Sequence, residues 1–308
     1  AGQLPMVADF RNWVLLGVHQ PVTLHSEDEI SEATEQAVAS GTGPLPVYVL
    51  RERDIKPGGG LRSLVADAAT GTDPAVRLIL VTGDAVAGKT RAAMEAMRAE
   101  LGHWRLLIPH SASTLATMLE EPALPLDRVV IWLDEAQTFL NSDRGVESIR
   151  RLLDRPTGPT VLLATMSSDA EHALQSQDEW QLLTRASPRV GRITLLRRPP
   201  RAEEDAELTR ARATADPWLR DAVRHMAGRY GLAEWLAAGP RLLRALQQAE
   251  GSADLTGRIG RALVLAAIDC HRAGYLDPVP ERLLQEAYRL FLPEVTPSSP
   301  GHDPISGD

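Results

Sequence analysis

Apolar residues along the chain fall into five short runs, at 77–82, 105–109, 128–133, 160–165 and 192–196. Between them the apolar positions recur at helical spacing, and helices are predicted over 89–101, 112–120, 144–154 and 169–185. Strands alternating with helices make a parallel sheet joined by right-handed crossovers. The runs are almost continuously apolar, as strands are when both of their faces are covered. The expected fold class is therefore α/β, a parallel five-stranded sheet flanked by helices and followed by an all-helical domain.

The alternation stops at Pro199-Pro200. Beyond it, Leu255, Ile259, Ala262, Leu263, Ala266 and Cys270 form one apolar stripe, and Leu283, Leu284, Ala287, Tyr288 and Phe291 form a second. Gly274 is expected to cap the first of these helices and Pro280 to open the next. Ahead of the sheet, a short strand is expected over 46–50 and a helix over 61–69, after Gly58-Gly59-Gly60. The expected division is an acidic N-terminal arm (1–45), a sheet domain (46–200), a helical domain (201–292) and a linker (293–308). The chain starts at Ala1 and ends in a stretch rich in Pro, Ser and Gly, so it reads as a piece of a longer protein.

The loop after the first run carries the clearest chemistry. Gly83-Asp84-Ala85-Val86-Ala87-Gly88-Lys89-Thr90 fits G-x-x-x-x-G-K-[ST], with a strand before it and a helix after it. Gly83 and Gly88 allow the backbone to turn so that its N–H groups face phosphate oxygens, and the helix dipole adds to the anion site. Lys89 is expected on the β- and γ-phosphates and the Thr90 hydroxyl on Mg²⁺. The nucleotide site would comprise Gly83, Asp84, Ala85, Val86, Ala87, Gly88, Lys89, Thr90 and Arg91. The chain holds 31 Arg but only two Lys, Lys56 and Lys89, so a lysine here marks a place for a compact point charge.

Val129-Val130-Ile131-Trp132-Leu133 ends in Asp134-Glu135, with Asp134 45 residues beyond Lys89. Asp134 is placed to hold Mg²⁺, with Thr90, and Glu135 to polarise the attacking water. At the end of the next run, Thr165 and Ser167 are candidates for contact with the γ-phosphate or the water, or are ordinary turn hydroxyls. The catalytic set is Glu135, Lys89 and Thr165. The eight His show no metal-binding spacing, and Ser111 and Ser113 lack the setting of a nucleophile.

Composition narrows the class. Cys270 is the one cysteine, which excludes an internal disulfide and suits a reducing cytoplasm. No apolar run approaches the roughly 18 residues of a membrane span. The net charge of −8 is uneven, with six acids and one base in the first 50 residues. That balance argues against a nucleic-acid footprint. One stretch is basic: Arg185, Arg189, Arg192, Arg197, Arg198 and Arg201, with no acid among them. It is either a solvated rim or a contact to phosphate or a partner.

The paired motifs, with one strand between them and a Glu beside the second Asp, resemble the P-loop ATPases with an additional strand. Within these the chain is most similar to the signal-transduction ATPases called STAND, which include the NACHT and NB-ARC types. Val49-Leu50-Arg51-Glu52-Arg53-Asp54, followed by Leu61, resembles the arm that frames the adenine in that family, which places Arg51 at the base. Ala238-Gly239-Pro240, followed by Arg241-Leu242-Leu243, resembles its Gly-x-Pro-Leu segment, which places Pro240 on the nucleotide. The sequence departs from the family at Ala238, where Gly is usual, and after Thr165, where many members carry Thr-Ser-Arg. The Arg-rich composition also resembles actinobacterial multidomain members.

The resemblance implies a cytoplasmic ATP/ADP- and Mg²⁺-binding switch that hydrolyses slowly, with closure of the helical domain as its output, flanking domains or a partner protein as readers, and a possible nucleotide-dependent oligomer. Two other readings stay open. One is a nucleic-acid motor or loader working as a ring, with Arg185 or Arg189 as an arginine finger. The other is a module that holds nucleotide without turnover.

Overall fold

The computed structural model describes residues 4–18, 45–70, 77–121, 124, 126–154, 159–175, 180, 190–226, 230–237, 246, 249, 255–275 and 279–292. The chain divides into two compact units, Ala1–Pro240 and Arg241–Asp308.

The first unit is built on five parallel strands: β1 (Arg77–Gly83), β2 (Arg105–Leu107), β3 (Val129–Leu133), β4 (Thr160–Ser167) and β5 (Val190–Leu195). Their order is β2-β3-β4-β1-β5. β4 pairs with β1 from Arg77↔Val161 to Gly83↔Ser167 and with β3 from Val129↔Thr160 to Leu133↔Ala164. β4 therefore stands between the two strands whose ends carry the paired motifs.

Side chains alternate along each strand and feed two cores. Ile79, Val81, Val130, Trp132, Val161 and Leu163 face α2 (Leu61–Thr70) and α3 (Lys89–Glu100). Leu78, Leu80, Ile131, Leu133, Leu162 and Ala164 face the opposite layer. That layer holds α4 (Ala112–Glu120), α5 (Gln137–Leu140), α6 (Asp143–Asp154) and α7 (Ser168–Leu174). Helix starts follow local chemistry. Ser111 Oγ accepts from Thr114 N at 3.1 Å and caps α4, and Ser167 Oγ accepts from Ala170 N at 3.1 Å and caps α7.

The N-terminal residues join the first core. Met6 bridges Arg105 on edge strand β2, and two 3₁₀ turns, Val7–Asp9 and Trp13–Leu16, follow. Val7, Trp13, Leu16 and Val18 are buried there with Trp104 and Trp132. Charge alone groups these residues with an acidic arm, but residues 4–18 cover the sheet with their apolar positions.

Residues 45–50 form no strand. Their polar backbone groups are taken by side chains: Val47 N donates to Asp216 Oδ2 at 2.7 Å, and Arg91 donates to Pro46 O at 2.9 Å. α1 (Glu52–Ile55) follows. The helices after Pro199-Pro200, α8 (Arg201–Arg212), α9 (Pro217–His225) and α10 (Leu232–Leu236), lie in the same compact unit as the sheet. Val49 packs among Ala211, Leu219, Ala222, Met226, Leu232 and Trp235 of these helices.

In the second unit, α11 (Leu255–Arg272) buries Ala262 and Ala266 of the expected stripe, whereas Leu255, at its start, is exposed, as are Val264 and Ile268. Gly274, at φ +94°, ends it, and Tyr275 N donates to Cys270 O at 3.0 Å. Pro280 precedes α12 (Glu281–Ala287), and a 3₁₀ turn spans Tyr288–Phe291. Among the described residues no helix is long and apolar enough to cross a membrane.

Candidate functional site

The paired motifs meet at the C-terminal ends of β1, β3 and β4. β1 ends at Gly83, whose φ of +153° and near contact with β5 both demand glycine, because a Cβ there would overlap the Leu195 carbonyl oxygen. The loop then passes Val86, a β-branched residue at φ +55°, and closes at Gly88 at φ +79°. Glu135, on the facing strand end, also has positive φ, +49°. Two non-glycine residues held in this region, after β1 and after β3, are local strain of the kind found at ligand sites.

The loop gives way directly to α3, which opens at Lys89-Thr90. The Lys89 Nζ donates to Asp84 O at 2.9 Å, across its own loop. Lys89 is buried, and burial lowers its pKa against the opposing pull of Glu135, Asp134 and Asp84. The Thr90 hydroxyl donates to Asp134 Oδ1 at 3.0 Å, and the Thr165 hydroxyl donates to the same oxygen at 2.7 Å. Thr165 Oγ1 in turn accepts from Glu135 N at 3.1 Å, and Thr165 O accepts from Ala136 N at 2.7 Å. Thr165 is fully buried. It ties the end of β4 to the end of β3, while Ser167 is used as a helix cap. Burial raises the Asp134 pKa, and the two hydroxyl hydrogen bonds oppose the rise. Glu135 is exposed, and its carboxylate accepts from Gln137 Nε2.

Arg51 reaches the loop from the arm. It donates to Ala87 O at 2.7 Å, and a Cβ on Gly88 would lie 2.6 Å from the Arg51 guanidinium. The same guanidinium pairs with Glu207 of α8 at 3.3 Å, with both side chains nearly buried. Its backbone N donates to Asp54 Oδ2 at 2.8 Å, which also accepts from the Tyr48 hydroxyl at 2.8 Å. Burial works against the charge of Arg51 and is outweighed by Tyr48, Glu207 and Asp54, so its hold on the proton rises. Burial pushes the Glu207 carboxyl up, with the guanidinium opposing it. A second tie runs from Arg210 of α8, which donates to Leu50 O at 3.0 Å and pairs with Glu52. Arg51, Leu195, Leu196, Pro199 and Glu207 enclose about 10 Å³, room for about one water.

Arg91 turns away from the loop, to Pro46 O, to Glu95 at 2.8 Å and over the Tyr48 ring. Of the arginine run, Arg192 pairs with Glu171 at 3.4 Å and lies over Trp180, and Arg201 pairs with Asp205 at 4.0 Å. Two of the six arginines are thus paired with acids outside the run. Arg185, Arg189 and Pro240 lie outside the described residues.

Two contacts have no signal in the linear motifs. Glu207 is a buried acid, one turn before buried Ala211 on an otherwise charged helix. Gly17 approaches Asp134 so closely that a Cβ on it would overlap Oδ2.

The sheet order and the loop geometry settle the architecture. The fold is that of a P-loop NTPase. No protein-family model and no curated protein sequence matches the chain. Among solved structures, DnaA from Aquifex aeolicus bound to AMPPCP is similar with a TM-score of 0.41 and 11% identity, over 79% of this chain and 78% of that one. The Orc1 protein of Aeropyrum pernix, solved in complex with DNA, gives 0.39 and 16%, over 80% and 79%. Likeness at this level is one of general architecture, and the STAND type is not singled out by it.

The oxygens at the site fit a hard divalent cation. Thr90 and Asp134 offer one hydroxyl and one carboxylate, and among the described residues no cluster of three or more acids, His or Cys is present. Mg²⁺ is commonly held in this way, by few protein oxygens with phosphates and water supplying the rest.

Proposed function

We propose that this protein binds ATP with Mg²⁺ at the loop 83–90 and hydrolyses it slowly, using the nucleotide as a switch. One observation carries the reading: Thr90 at the helix start and Thr165 on β4 both donate to one oxygen of Asp134 on β3. The hydroxyl, the carboxylate and the phosphate loop are thereby held together across three strands.

In this reading the loop N–H groups and Lys89 receive the phosphates, and Lys89 exchanges the Asp84 carbonyl for a phosphate oxygen. Thr90 and Asp134 would hold Mg²⁺, which when bound neutralises charge on the phosphates. Glu135, exposed one residue beyond Asp134, orients the attacking water and takes its proton. Arg51 supports the switch. It holds Ala87 O of the loop and Glu207 of α8 with one guanidinium, so a nucleotide that moves the loop also bears on α8. The preference for adenine rests on the resemblance of the arm to STAND ATPases, as does the placing of Pro240.

The loader reading uses the same site. Net charge alone argued against nucleic acid, and that expectation finds no support in the comparisons, where one neighbour is described with DNA. Titration calorimetry with ATP and Mg²⁺ tests the common part. Lys89→Ala should lose about 2–3 kcal/mol of binding, as expected for a charge-assisted contact to phosphate. Unchanged affinity in a folded variant would remove the assignment. Turnover measured with and without duplex DNA separates the outputs: stimulation favours the loader, indifference the switch.

A further inference from the structure

We propose that Gly17 is a positioning residue for Asp134, and that the turn Trp13–Leu16 with Gly17 and Val18 forms a wall behind the metal-binding carboxylate. The inference rests on the nucleotide reading above and concerns a segment that lies far from both motifs in sequence.

The wall is held by its own hydrogen bonds. Gly17 N donates to Val14 O at 2.9 Å, and Val18 N donates to Trp13 O at 3.1 Å. Leu16 and Val18, on either side of the glycine, are 0% and 4% exposed, so the backbone between them has nowhere to recede. Leu16 O accepts from Trp132 Nε1 at 3.2 Å, which ties the segment to β3 two residues before Asp134. Arg98 lies over the Trp13 ring at 4.7 Å, which ties it to α3, the helix that carries Thr90. The segment is thus fastened to both elements that supply the site.

Against that wall stands the carboxylate. Asp134 Oδ1 is fixed by Thr90 and Thr165, and Oδ2 faces the bare Cα of Gly17. Gly17 sits at φ +76°, which alone favours glycine. The overlap with Oδ2 is a separate demand. A side chain at position 17 must turn the carboxylate, and turning it breaks the two hydroxyl contacts that aim Oδ1.

The test separates the two demands. Gly17→Ala carries both the φ penalty and the overlap. Gly58→Ala is the control, because Gly58 has φ +67° with nothing near its Cβ position. ATP affinity of the full chain is measured with EDTA and with Mg²⁺. Gly17→Ala should keep its Mg²⁺-free affinity within about two-fold and lose about ten-fold or more of the tightening that Mg²⁺ gives, whereas Gly58→Ala should change neither. In an Asp134→Ala background, Gly17→Ala should have no further effect on the Mg²⁺ response. A wild-type Mg²⁺ response in Gly17→Ala, or a further loss in the Asp134→Ala background, overturns the proposal.

Thermal unfolding keeps the proposal testable if Gly17→Ala folds poorly. Asp134→Ala makes room for the new methyl, so the double variant should recover stability relative to Gly17→Ala. Absence of that rescue overturns the overlap. A wild-type protein whose ATP binding ignores Mg²⁺ would instead refute the Mg²⁺ role given to Asp134, and the rescue experiment would still judge the contact.

Discussion

Replacing Arg51 by Met should destabilise the first unit by about 3.5–5 kcal/mol at neutral pH, and the loss should shrink on acidification. Met keeps the apolar stem and removes the charge. Two terms set the size. Ala87 O loses a charge-assisted hydrogen bond made at 2.7 Å, worth about 1.5–3 kcal/mol. Glu207 loses a cation at 3.3 Å, an attraction of about 5 kcal/mol at an effective dielectric constant of about 20. The carboxyl escapes most of that second loss by taking a proton. From an ordinary Glu pKa of about 4.3, protonation at pH 7 costs at most about 3.7 kcal/mol. Burial has already raised Glu207, so the added cost is smaller, and about 2 kcal/mol is a fair share.

The sign with pH follows from that escape. In Arg51→Met the folded pKa of Glu207 moves further above its unfolded value. The penalty is fully present above the folded pKa and is lost as pH falls through it, by up to about 1.4 kcal/mol per pH unit. Glu207→Gln alone should also be destabilising, because it leaves the nearly buried Arg51 guanidinium without its carboxylate. Added to Arg51→Met, it should recover about 2 kcal/mol. Urea unfolding followed by Trp fluorescence at several pH values measures all three. A loss that is independent of pH, or one that Glu207→Gln fails to suppress, would refute the account of Arg51 as the cation for Glu207.

Glu135→Gln should leave ATP affinity unchanged and abolish single-turnover hydrolysis; turnover at the wild-type rate would place the base elsewhere. Asp134→Asn should weaken the Mg²⁺ response while raising the melting temperature of the nucleotide-free protein by a few degrees at pH 7, since it relieves a buried charge. The folded Asp134 pKa is raised, so that gain is present above it and should vanish as pH falls towards the unfolded value of about 4.

What sequence reveals here depends on how local the cause is. Gly83, Gly88, Lys89 and Thr90 act through one turn of backbone, so their spacing predicts their geometry. The five strands were legible for a similar reason: burial on both faces leaves a continuous apolar run, and the observed limits fall close to the runs. The 46–50 segment reads as a strand because its residues favour extension. Its backbone groups are instead satisfied by Asp216, Arg91 and Arg210, far along the chain, so no sheet forms. Arg51 stood out through resemblance, but its partner Glu207 did not, because a single acid on a helix rich in charge looks solvated until the helix is docked.

Gly17 is the extreme case. No local pattern distinguishes it from a turn glycine, and the reason for glycine there is an oxygen of Asp134 brought in by the fold. The charge of the first 50 residues suggested one acidic arm, yet all six acids except Asp9 lie beyond position 18. The apolar residues before that position are the ones that pack on β3. Average charge over a segment therefore hid its division into a buried half and an acidic half. The boundary between them falls next to Gly17, the residue that touches the Asp134 carboxylate.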